Sequence, residues 1–211
     1  MSKNIMKYIL IILSLAFPLS NDIVIKSSIT DSLPKNMPII KQFFWGDKGL
    51  LRGSFIDPKS RIKELKLRKN MLELHQKVAL LTLFEMMYLY YVGKKMANYD
   101  YPNETVAYDK YQNTHSKLSR ITFSTYMTAA GLSILAPPGI KYSKKKFSSN
   151  KLHRYLSIVH FTGMMIQPVL GYRTANANEL GLDYDKSLKA HDTVGTITMA
   201  AYFLSFLTTL F

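Results

Sequence analysis

LHRYLSIVHFTGMMIQPVLGY, residues 152 to 172, decides how the rest of the chain is read. The stretch has no acidic residue, opens on His153, and closes on Gly171 before a polar exit. At about 1.5 Å of rise per residue, a helix of this length covers about 30 Å, the thickness of a bilayer's hydrocarbon core. Three other stretches share the plan: residues 78 to 93 (VALLTLFEMMYLYYVG) follow His75, residues 121 to 139 follow His115, and residues 193 to 211 follow His191. The expected fold is all-α, an integral membrane four-helix bundle in which each apolar segment is entered past one histidine.

Composition narrows the chemistry. The 211 residues are 47% hydrophobic, but the apolar residues are gathered into blocks between polar connections, the pattern of a membrane protein. Cysteine is absent, which excludes disulfides, iron-sulfur clusters, covalent haem attachment and thiolate catalysis. A formal charge of +14 could indicate nucleic acid. The lysines and arginines lie beside apolar spans, where they meet membrane lipid instead, so nucleic acid is rejected as a partner. No GxxxxGK[ST], HExxH or GxSxG pattern occurs.

Before the spans come two other regions. Residues 1 to 20 have a basic start at Lys3 and Lys7 and an apolar run from Tyr8 to Leu19, and read as a signal peptide or anchor. Residues 21 to 57 show no sustained period and are expected to be an irregular extramembrane lead, with Phe43, Phe44 and Trp45 as an interfacial aromatic anchor. Asp57 followed by Pro58 reads as a helix start. One helix is then predicted from about residue 58 to 95, an extramembrane extension of the first span whose Arg61, Lys63, Lys66, Arg68 and Lys69 face solvent or headgroups. Residues 58 to 211 form the four-helix domain. APPG, at 136 to 139, stops the second span.

Depth pairs the histidines. His75 to Gly93 and His153 to Gly171 each cover 18 residues, and in an alternating bundle the first and third spans run the same way, so His75 and His153 share a layer. His115 and His191 both precede runs of about twenty residues from the other side and form a second layer. An imidazole from each of two facing helices can fill both axial positions of a haem iron, and two such layers would hold two non-covalent b-type haems. Lys77, Arg120 and Arg154, near these histidines in sequence, are candidate partners for haem propionates. His160 lies about two turns deeper; it is expected to make an interhelical hydrogen bond, and stands as the alternative to His153 as ligand. Glu85 is a carboxyl inside the first span, and Met86, Met87, Met164 and Met165 read as bundle packing.

These residues resemble the cytochrome b561 family over residues 70 to 211. The third span, with His153, Gln167 and Gly171, is similar to that family's haem-binding span, and HDTVG, with His191 and Gly195, is similar to its HxxxG. The resemblance implies a four-helix core, ligands paired between first and third and between second and fourth helices, and transmembrane electron transfer. The first span reads LHQKVALL, a departure from the HPxLM of eukaryotic members, which leaves the electron donor unassigned.

The functional expectation is a di-haem membrane cytochrome passing electrons between a donor and an acceptor. The alternatives are a haem-free structural subunit of a larger membrane complex, and a quinone-reactive oxidoreductase in which Glu85 or His160 handles protons. The export signal places the lead on the outer, periplasmic face of a bacterial inner membrane. The lysine-rich loop at 141 to 151 argues the other way by the positive-inside rule. We follow the export signal.

Overall fold

The computed structural model describes residues 33–99, 105–142 and 148–209, so the signal segment at 1 to 20, the start of the lead and residues 143–147 of the lysine-rich loop lie outside it. The described residues form five helices and no strand: α1 (Ile39–Trp45), α2 (Arg61–Ala97), α3 (Thr105–Leu135), α4 (Ser149–Ala175) and α5 (Tyr184–Leu207). The fold is all-α. Helices α2 and α3 form one antiparallel hairpin and α4 and α5 another, each packed far more closely within itself than against its neighbour. α2 is also the side of the first hairpin that touches α5.

Local chemistry sets the helix ends. Asp183 caps α5 by accepting from the Lys186 N–H at 2.9 Å, and Ser148 caps α4 by accepting from Lys151 at 3.3 Å. α3 stops at Leu135, where Pro137 and Pro138 end the backbone ladder as expected. α2 begins three residues later than Asp57 and Pro58 indicated. Asp57 spends its carboxylate on the N–H groups of Gly53 and Lys59, a turn that holds Lys59 at φ 55, and Ser60 takes the N-cap position. Those two bonds lower the Asp57 pKa.

The lead departs from the irregular, interfacial expectation. Residues 39 to 45 are helical, and Trp45, expected as an anchor in the headgroups, is 1% exposed with its indole N–H donated to the Leu135 carbonyl at 2.8 Å. A three-residue aromatic run has no period that could announce this partner 90 residues away. Lys41 donates to the carbonyls of Ser133, Ile134 and Ala136 at 2.8, 3.0 and 2.5 Å, so a cation sits on the carbonyl end of α3, where the helix dipole favours it. Two of the arginines assigned to a solvated face also turn inward. Arg61 donates to Pro138 and Gly139, Arg68 to Pro137, and the buried Glu64 is held between Arg52 and Arg61. The proline-rich stop offers carbonyls that no helix can use, and the basic extension of α2 supplies their donors.

At the centre, Leu83, Met86, Tyr126, Met164 and Tyr202 form the buried core, drawing on all four long helices. Met86 and Met164 pack as expected, whereas Met87 and Met165 are about half exposed. Large apolar side chains also cover the outside of the four long helices: Leu81, Tyr88, Ile121, Ile158, Val169 and Phe203 are each about half exposed. Among the described residues no helix is long and apolar enough to cross a membrane.

Candidate cofactor site

A repeat organises the interior. Residue n of α2 corresponds to n + 78 in α4, matching Leu74-His75, Met86-Met87 and Gly93 with Leu152-His153, Met164-Met165 and Gly171. Residue n of α3 corresponds to n + 76 in α5, matching Tyr108-Asp109-Lys110, His115, Thr122 and Tyr126 with Tyr184-Asp185-Lys186, His191, Thr198 and Tyr202. The equal His-to-Gly distances were one visible trace of it. The motif YDKxxxxH, present twice, was the stronger signal and by itself separates the two hairpins.

Side chains obey the same correspondence. His75 Nδ1 lies 2.8 Å from the Ala129 carbonyl, and His153 Nδ1 lies 3.0 Å from the Ser205 carbonyl, the matching position. A carbonyl only accepts, so each Nδ1 donates its N–H there, and the bond fixes the ring with Nε2 as the nitrogen turned toward a metal, the arrangement that orients an imidazole ligand. His153 and His75 are near enough to interact electrostatically. Ser205 and Thr208 hydroxyls also approach His153 Nδ1, at 2.9 and 3.5 Å.

The second pair is built differently. The rings of His115 and His191 have centres 6.2 Å apart at an interplanar angle of 77°. Each Nδ1 is buried without a hydrogen-bond partner. Each ring rests on the matching glycine: a Cβ on Gly93 would stand 3.1 Å from His115 Cε1, and a Cβ on Gly171 would stand 3.4 Å from His191 Cε1. Gln167 donates to the His191 carbonyl at 3.0 Å and packs on Gly195, whose Cβ would meet it at 3.1 Å. Gln167, Gly171 and Gly195 therefore all converge on His191.

The two layers are separated by 18 residues of α2, about 27 Å of helix rise. Between them stands His160, whose Nδ1 is 2.7 Å from the Tyr126 hydroxyl on α3, the expected interhelical bond. Its ring also meets Tyr202, with centres 4.8 Å apart. Thr82, Thr122 and Thr198 are buried around this level, and Ser205 is buried at the His153 layer. The sequence reading passed over these tyrosines and threonines, because a single polar residue in an apolar helix shows no period.

Lys77, Arg120 and Arg154 lie on exposed helix faces. Arg154 follows His153 directly and Lys77 follows His75 by two residues, which turns them roughly 100° and 200° around the helix from those rings. Closer in sequence to the His115 and His191 layer is an ion pair, Lys94 to Asp192 at 2.7 Å, beside Gly93 and His191. Asp192 raises the Lys94 pKa. At the same end burial, aided by the Tyr184 hydroxyl, pushes the Tyr108 phenol up to about 12, so the two copies of Tyr-Asp-Lys meet.

The donor set fits a bis-histidine haem: His115 and His191, one from each hairpin with ring centres 6.2 Å apart, would hold one, and His75 and His153 would hold another. The Nδ1–Cε1 edges of His115 and His191 lie against Gly93 and Gly171, which leaves Nε2 as the nitrogen free for a metal. Two clefts, of 430 and 570 Å³, lie in the lead, and neither is lined by a histidine. Among the described residues no group of three or more His, Cys, Asp or Glu is suited to a bare metal ion. No protein-family model matches the chain, and no curated protein or solved structure matches it.

Proposed function

We propose that the chain is a b-type di-haem membrane cytochrome that passes electrons from a donor at one face to an acceptor at the other. The observation that carries this reading is the pair of histidine layers, each taking one imidazole from each hairpin, with ring nitrogens either oriented by backbone carbonyls or buried without a partner. His75 and His153 would hold one haem, His115 and His191 the other. Bound haem supplies a one-electron iron couple, and two neutral imidazoles leave no open position for oxygen chemistry.

The chain's own residues do the rest. Ala129 and Ser205 carbonyls fix two rings, and Gly93 and Gly171 let the other two bring an edge close to a neighbouring helix. Tyr126, His160 and Tyr202 fill the bundle between the layers and keep water out of it. Membrane insertion is part of the proposal. It is supported by large apolar side chains on the outward faces while Thr82, Thr122, Thr198 and Ser205 turn inward, four hydroxyls that lower mean hydropathy but stay away from lipid. Lys77, Arg120 and Arg154, on exposed helix faces, would meet propionates or headgroups at the surface.

The test is a reduced-minus-oxidised spectrum and haem quantitation on the full-length protein purified from cells supplied with haem. About two haems per chain are expected, one lost on His75→Ala or His153→Ala and the other on His115→Ala or His191→Ala. Purified protein without haem would overturn the reading. In vesicles loaded with an oxidant, an impermeant external reductant should reduce both haems, and loss of either histidine pair should slow passage inward.

A further inference from the structure

The repeat makes its own exceptions visible, and two of them fall at one place. The counterpart of Glu85 is Gly163, and that of Thr125 is Ala201. In the second hairpin this level is closed. A Cβ on Gly163 would lie 1.9 Å from Thr198 Oγ1, and the Thr198 hydroxyl donates to the Val194 carbonyl at 2.6 Å. The first hairpin keeps the matching threonine, Thr122, with no exposed surface, yet its hydroxyl has no hydrogen-bond partner. One turn along, Thr125 donates to Glu85. A carboxyl thus enters the apolar bundle at the level where the other hairpin has only a hydrogen atom.

The groups around Glu85 are hydroxyls. Thr125 donates to it from α3, where Thr122 holds the repeat position that Thr198 holds against Gly163, and Tyr202, on α5, lies within electrostatic range while donating to the Ala79 carbonyl at 2.9 Å. From α4, His160 reaches the same level through Tyr126 and through ring contact with Tyr202. Among the described residues no lysine, arginine or histidine forms an ion pair with Glu85. A carboxylate in apolar surroundings without a cation is costly, and a proton is the smallest charge that can neutralise it.

We propose that Glu85, with Thr122 and Thr125, is a proton-binding site that takes up one proton from water when the bundle receives an electron and releases it when the electron leaves. The inference rests on the di-haem reading. One electron converts ferric to ferrous iron, one proton converts the Glu85 carboxylate to the acid, and the net charge of the interior is unchanged. An added negative charge in a low-dielectric interior draws a proton to the nearest unpaired carboxylate. Both protonation states can be satisfied: the carboxylate accepts from Thr125, and the acid donates to a threonine oxygen once the hydroxyls rotate. Thr122, whose hydroxyl is uncommitted, supplies the second partner.

The experiment is a redox titration of the haem-loaded full-length protein at several pH values, with infrared difference spectra of the same samples. For a one-electron couple, a tenfold change in proton activity converts to up to about 59 mV, so at least one midpoint should fall with pH toward that slope. Glu85→Gln should flatten the slope at unchanged haem content, Glu85→Asp should restore part of it, and a protonated-carboxyl band that appears on reduction should be missing in Glu85→Gln. A slope unchanged in Glu85→Gln, or a haem-loaded wild type with a flat midpoint, overturns the proton site and leaves the cytochrome standing. Should Glu85→Gln fail to fold, the carboxyl band of the wild type decides, its absence being fatal. Protein without haem overturns both readings together.

Discussion

Tyr126 and Tyr202 hold the same register in the two hairpins, and their rings meet at the centre of the bundle, 5.8 Å apart. Their hydroxyls make different bonds. Tyr126 engages the His160 ring at 2.7 Å, whereas Tyr202 donates to the Ala79 carbonyl at 2.9 Å. The difference follows from the repeat, since the residue matching His160 in α2 is Thr82. Tyr126→Phe should therefore strand a buried ring nitrogen and cost about 1–3 kcal/mol, while Tyr202→Phe, whose acceptor is a helical carbonyl, should cost about 0.5–1.5 kcal/mol. Thermal unfolding of the two variants in one detergent checks the order, and equal losses would contradict it.

At Gly163, α4 comes close against α5. A Cβ there would stand 1.9 Å from Thr198 Oγ1 and 3.0 Å from Thr198 Cβ, so Gly163→Ala should destabilise the second hairpin by about 1–3 kcal/mol. Thr198→Ala removes the atom that clashes. The double variant should regain much of the lost stability, and a double-mutant cycle with no coupling between the two sites would show that the helices move apart instead.

Gly93 and Gly171 occupy equivalent positions with unequal clearance. A methyl group at Gly93 would press on His115 Cε1 at 3.1 Å, and one at Gly171 would touch His191 Cε1 at an ordinary 3.4 Å. On the di-haem proposal, Gly93→Ala should lower haem content or shift the spectrum of the layer containing His115, and Gly171→Ala should change little. A larger effect at Gly171 would mean that the His191 ring, not the His115 ring, is the tightly held ligand.

The four helices, the stop at APPG and the pairing of histidines by depth were legible because each leaves a mark that repeats: an apolar block, a pair of prolines, an equal spacing. His160 was legible as an interhelical donor or acceptor because it lies one heptad past His153. The lead was not, since what folds it is a set of donors at Lys41, Trp45, Arg61 and Arg68 meeting carbonyls at 133 to 139, and long-range bonds from side chain to backbone have no period. A basic run beside a membrane span reads as a headgroup surface whether or not carbonyls await it. Thr122 and Thr125 became meaningful only when Gly163 and Ala201 could be set beside Glu85 and Thr125 as their counterparts.

Lys41 gives the lead a pH dependence with a definite sign. Burial, and then the Arg68 guanidinium nearby, pull its ammonium from the usual 10.5 down to about 8. Below about 8 the folded and unfolded chains both hold the proton, and this group contributes no slope. Between about 8 and 10.5 the unfolded chain still holds a proton that the folded chain has released, so the unfolded state binds more protons and Lys41 makes the fold gain stability as pH rises. Trp45, the single tryptophan of the chain, is buried in the same lead and reports its unfolding by fluorescence. Lys41→Met should lose about 1–3 kcal/mol at neutral pH, because the carbonyls of Ser133, Ile134 and Ala136 lose their shared donor. Its deficit relative to wild type should widen between pH 8 and 10, the window in which the lysine contributes its slope. Tyrosines also titrate there, but they do so in both proteins and cancel in the comparison. A deficit that stays constant across that window would show that the Lys41 ammonium keeps its proton in the folded lead.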